Sequence, residues 1–112
     1  MHGLLDYVRR ELFNMKIKVY NKKWEIKFID GLVDEDGTMI YGKWDSTRRL
    51  IEIDKSVNKD EMRLTVIHEL AHVIHCSTGF IYEKSIDMES LADFMSQHFD
   101  EISSILKKLE LV

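Results

Sequence analysis

From about Lys59 to Cys76 the chain reads as one long helix whose sides differ in a way that limits what it can pack against. Asn58, followed by Glu61 three residues later, has the pattern of an N-cap with its capping-box partner, and Gly79 ends the helix or lies just past it. With His68 as origin, Glu61, Thr65, Glu69, His72 and His75 share a sector of about 120°, while Leu64, Ile67, Leu70, Ala71, Val73 and Ile74 fill the remainder. A helix apolar around most of its circumference is buried. A polar seam on such a helix needs partners, because each unpaired buried polar group costs about 1–3 kcal/mol.

The seam contains H-E-x-x-H, as His68-Glu69-Leu70-Ala71-His72. Residues four apart project side by side, so two imidazoles can meet one zinc ion at about 2.0–2.1 Å. Glu69 lies about 100° round the helix from His68, poorly placed as a ligand but within reach of a water at an open coordination position, as a general base must be. Random placement of the five His and ten Glu would produce the pattern about 0.02 times. The competing reading is a pair of satisfied core histidines.

Catalytic zinc usually has three protein ligands and a water. The metzincin arrangement is excluded, because its Gly and third His positions are occupied here by His75 and Thr78. Glu89 is the preferred third ligand: it lies on the next helical pattern, which a turn at Ser77 to Gly79 lets fold back on the first. Asp87, Glu83 and Asp93 remain alternatives. His75 is read as a hydrogen-bonding group and Cys76 as a small buried apolar residue. His98 is half a turn from Glu89 on the opposite face, and Tyr41 and Tyr82, which could polarise a substrate carbonyl, read as core or rim residues.

Around this helix the pattern predicts an α+β domain. Leu4, Leu5, Val8 and Leu12 recur at helical spacing within Gly3 to Met15. Ile17 and Val19, then Trp24, Ile26 and Phe28, alternate as two strands about a turn at Asn21-Lys22-Lys23. Asp34-Glu35-Asp36-Gly37 is a turn, and Met39 to Trp44 and Leu50 to Asp54 form a second strand pair joined around Asp45-Ser46-Thr47. A last helix begins near Ser85 with Met88, Leu91, Ala92, Met95 and Phe99 apolar, Met88 and Met95 read as core filling, and it extends through Ile102, Ile105, Leu106 and Leu109. The expected architecture is a single domain over residues 1–112, with helices on a small, mainly antiparallel or mixed sheet.

Composition removes several function classes. The longest stretch free of charged residues, Leu70 to Tyr82, spans 13 residues where a membrane helix needs about 18 or more. Asp6, Arg9, Arg10 and Glu11 stand where a signal peptide would be apolar, and the single cysteine forms no internal disulfide, so a cytoplasmic location is expected. A net charge of -4 argues against a nucleic-acid partner. The one basic excess, five lysines against Glu25 between Lys16 and Lys27, reads as a solvated hairpin face.

Taken together, Tyr41-Gly42-Lys43-Trp44-Asp45, the strand ending Ile51-Glu52-Ile53-Asp54, the helix with Thr65-Val66-Ile67-His68-Glu69-Leu70-Ala71-His72 and the downstream Glu89-Ser90-Leu91-Ala92-Asp93 resemble the small gluzincin-type metallopeptidases of the ImmA/IrrE-like family, found in bacteria, mobile elements and phages. The likeness covers roughly residues 39–99. It implies a zincin-like fold, zinc held by His68, His72 and Glu89, Glu69 as base, the strand Leu50 to Asp54 bordering the cleft, and a protein or peptide substrate, in this family often a transcriptional repressor. Asp93 replaces the family's Asn, and only 17 residues separate His72 from Glu89. The expected activity is peptide-bond hydrolysis by a zinc metalloendopeptidase. The alternative is a catalytically silent zinc module that sequesters a protein partner; Glu69 favours the enzyme, because a structural zinc site needs no carboxylate beside an open position.

Overall fold

The computed structural model describes residues 14–77 and 88–112. Four strands, β1 (Asn14–Val19), β2 (Lys22–Ile29), β3 (Gly42–Asp45) and β4 (Leu50–Asp54), precede two helices, α1 (Lys59–Ser77) and α2 (Met88–Lys108). The strand order is β1-β2-β4-β3. β1–β2 and β4–β3 are antiparallel and β2–β4 is parallel, so the sheet is mixed and β1 and β3 form its edges. This is the expected α+β class. The proposed N-terminal helix lies outside the described residues, except that Asn14 and Met15 belong to β1.

Cross-strand partners place their side chains on the same face. Register therefore defines one inward row: Ile17 opposite Trp24, Ile26 opposite Ile51, Phe28 opposite Ile53, then Trp44 opposite Ile51 and Gly42 opposite Ile53. Both helices contribute to the one core that covers this row, α1 through Met62, Val66, Leu70, Val73 and Ile74, and α2 through Ile102, Ile105 and Leu106. The first half of α2 departs from expectation. Leu91, Met95 and Phe99 are exposed although Leu91 and Met95 continue the stripe of Ile102 and Leu109, so Met95 is not core filling. A stripe is buried only where another element lies opposite it, and periodicity does not report that.

The β1–β2 turn is also displaced from its expected place. Val19 pairs with Lys22, so Tyr20 and Asn21 form a two-residue loop, both with positive φ (46° and 68°), as a type I′ hairpin requires. Asp34 organises the next turn by accepting from the Asp36 and Thr38 amides, and Asp45 does the same for Thr47 and Arg48.

Two connections set the position of α1. Asp54, at the end of β4, is buried; its carboxylate accepts from the Ser56 amide (2.9 Å), the Ser56 hydroxyl (2.7 Å) and the Gly31 amide (3.3 Å), while its own amide donates to Tyr41 O (2.8 Å). Burial alone would raise this carboxyl's pKa, but the Ser56 hydroxyl and the amides of Ser56, Gly31 and Leu32 bring it below the usual value. Four residues later the Glu61 amide donates to Asn58 Oδ1 (2.8 Å), the expected N-cap. No helix among the described residues is long and apolar enough to cross a membrane.

Candidate metal and catalytic site

The polar seam of α1 lies over β3. Thr65 donates its hydroxyl to Glu61 O (2.8 Å), so that side chain is satisfied within the helix and turns its methyl toward the sheet. There it meets Gly42. A Cβ built on Gly42 would lie 2.7 Å from Thr65 Cγ2, 3.1 Å from Glu69 Cγ and 3.2 Å from Glu69 Oε1. Only a residue without a side chain lets the helix approach the edge strand this closely. The approach buries Glu69 to 5% exposure.

His68 and His72 meet as their spacing predicts. Their Nε2 atoms are 3.2 Å apart, with the rings edge to face at 4.8 Å. Two ligand atoms bound at about 2.05 Å to one tetrahedral zinc are about 3.3 Å apart, so the pair fits a shared ion with little adjustment. Trp44, two residues beyond Gly42 on the same face of β3, stacks on His72 with an interplanar angle of 10° and centroids 5.9 Å apart. This contact limits rotation of the imidazole. The His72 pKa is lowered, first by burial and then by His68 and His75, which favours the neutral ring that a metal ligand requires.

Glu69 is affected in the opposite sense. Burial raises its pKa, and the neighbouring His68 only partly counteracts that. No described residue forms a hydrogen bond or ion pair with its carboxylate. Tyr41, Gly42, Leu64, Thr65, His68 and Glu69 line a cleft of about 350 Å³, with Tyr41 and Leu64 more than half exposed at its rim. A desolvated carboxylate beside two convergent imidazoles in an open cleft is suited to take up and return a proton.

Among the described residues no third ligand joins this pair. Glu89 is exposed in the first turn of α2, and no group of three His, Cys, Asp or Glu side chains among the described residues converges closely enough to hold a metal. Tyr82, Glu83 and Asp87 lie outside the described residues, and Asp93 is exposed. His75 is buried against Phe94 of α2 (5.7 Å between centroids) and acts on His72 through its charge, whereas His98 bonds Tyr20 Oη through Nδ1 (2.6 Å) and is engaged away from the His68–His72 pair. Cys76 is exposed, not buried as expected: in the last turn of α1, Ile74 and His75 take the inward positions.

Sequence patterns assign no role to Gly42 or Trp44, and the family resemblance places β4 at the cleft. β4 is an inner strand, and β3 carries the two residues, Gly42 and Trp44, that lie against the motif. A glycine inside an alternating strand is a known sign of close backbone approach and could have identified Gly42. Nothing local identifies Trp44. Compared with known proteins, the chain matches no family model, no curated sequence and no solved structure.

Proposed function

We propose that this chain is a zinc-dependent metalloendopeptidase of zincin-like fold that hydrolyses peptide bonds of a protein substrate in the cytoplasm. The observation that carries the reading is the 3.2 Å approach of His68 and His72 Nε2 beside the buried Glu69 at an open cleft. His68 and His72 would hold the ion, with Glu89 as the proposed third ligand. When bound, zinc supplies Lewis-acid polarisation of a substrate carbonyl and acidification of a water.

The chain's own groups account for the other requirements. Glu69, its proton affinity raised by burial, accepts the proton of the attacking water and delivers it to the leaving amine. Tyr41 lines the same cleft and its hydroxyl bonds no other described group, whereas the Thr65 hydroxyl is spent on Glu61 O; Tyr41 is therefore the donor proposed for the developing oxyanion. Among the described residues no strand pairs with the outer edge of β3, so an extended peptide can add there by main-chain hydrogen bonds and run past Gly42 along the cleft. A transcriptional repressor is the proposed substrate class, by the resemblance described above.

The test supplies candidate substrates, the products of neighbouring genes, to wild type and Glu69→Gln and searches for new termini by mass spectrometry. Wild type should cut one partner in a chelator-sensitive manner, and Glu69→Gln should keep its zinc and cut nothing. Cleavage by Glu69→Gln at the wild-type rate would refute the role of Glu69. A stable complex with an intact partner, equally tight for both proteins, would replace the enzyme with a sequestering module.

A further inference from the structure

The opposite edge of the sheet carries a second concave feature. Lys16, Ile17, Lys18 and Lys23 from the hairpin and Glu101, Ser104, Ile105 and Lys108 from α2 line a cleft of about 430 Å³. Ile17 faces the core and Lys16 and Lys18 face the other way, so the cleft follows the outer edge of β1 and not one face of the sheet. Two intervening strands at about 4.8 Å spacing place this edge about 14 Å from β3.

The charge here is unbalanced. Four lysines face one glutamate, and among the described residues none of the four is in an ion pair; the lysines that do pair are Lys27, with Glu25, and Lys43, with Glu52, both outside the cleft. Lys18 and Lys23 stand directly opposite each other in the β1–β2 register, an arrangement of like charges that destabilises a hairpin. In a chain of net charge -4 this is a local reversal of sign, and a concave wall focuses its field on whatever enters. The lining includes no aromatic side chain for base stacking and no arginine for bidentate phosphate contact, and its floor is the aliphatic pair Ile17 and Ile105. Aliphatic side chains, point-like cations and a strand edge that no described strand pairs with together match an extended peptide better than a nucleic acid.

We propose that the β1–α2 cleft is a docking site for an acidic, extended segment of a partner protein, whose carboxylates neutralise Lys16, Lys18, Lys23 and Lys108. Binding relieves the Lys18–Lys23 repulsion. The ligand class follows from the charge and shape of this edge and does not depend on the chemistry at the other.

Fluorescence anisotropy with the full chain tests this, using a labelled eight-residue peptide of alternating Glu and Val and, separately, a labelled oligothymidylate of equal charge. The peptide should bind saturably at low salt. Lys18→Gln/Lys23→Gln should weaken it at least tenfold, while Lys22→Gln, whose side chain does not line the cleft, should leave affinity within twofold. Circular dichroism of each variant separates loss of binding from loss of fold, and the double variant should melt no lower than wild type because a repulsive pair has been removed. Absence of saturable peptide binding, equal weakening by Lys22→Gln, or tighter binding of the oligonucleotide than of the peptide would overturn the proposal.

Discussion

Gly42→Ala is the sharpest test of how α1 is seated on β3. The added methyl would sit 2.7 Å from Thr65 Cγ2 and 3.1 Å from Glu69 Cγ. Real Cβ contacts essentially never fall below 3.0 Å, so the Thr65 side chain, the helix or the edge strand must shift. Overpacking by one methyl in a tight interface typically costs about 1–3 kcal/mol. With an unfolding entropy of about 2.1 cal/mol/K per residue, that is a fall in Tm of about 4–13 °C for a chain of this length. Thr65→Ser provides the control, because it deletes the clashing methyl but retains the hydroxyl that bonds Glu61 O. Alone it should cost about 1 kcal/mol for one buried methyl. Combined with Gly42→Ala it should recover at least about 1 kcal/mol relative to the sum of the single variants, a coupling expected only of residues in contact. Urea denaturation of all four proteins measures the cycle. Strict additivity, or a Gly42→Ala cost below about 0.5 kcal/mol, would refute the close approach and the placement of Glu69 derived from it.

Three further outcomes are expected. Metal analysis should find one zinc per chain, lost in His68→Ala and His72→Ala; loss in Glu89→Ala assigns the third ligand, whereas retention there with loss in Glu83→Ala or Asp87→Ala moves it. Asp54→Asn should cost about 1–3 kcal/mol near pH 6, where a charge-accepting hydrogen-bond network is removed. The folded Asp54 pKa lies below its unfolded value of about 3.9, so its contribution is complete above that value and disappears as the pH falls through the folded pKa; the urea midpoints of wild type and variant should draw together as the pH is lowered below the unfolded value. Asn58→Ala should lower stability by about 1 kcal/mol without altering metal content, since it removes the acceptor of the Glu61 amide at the start of α1 and nothing at the site.

Much of this molecule follows from local pattern. Alternation in Ile17 to Phe28 and Leu50 to Asp54 marks strands because successive side chains take opposite faces. The α1 boundaries and the meeting of His68 with His72 follow from 3.6 residues per turn and a capping asparagine, which act within a few residues of one another. Tertiary structure decided what lies opposite those patterns. The parallel pairing of β2 with β4 makes β4 an inner strand and leaves β3 at the edge, and no rule of periodicity anticipates that order. It brings Gly42 under Thr65 and Glu69 and sets Trp44 on His72, contacts between residues more than twenty positions apart. The burial that raises the proton affinity of Glu69, the exposure of Met95 on an otherwise apolar stripe, and the cleft between Lys18 and Lys108 have the same origin. A side chain's periodicity is set by its own backbone, but its solvation and its neighbours are set by elements distant in sequence.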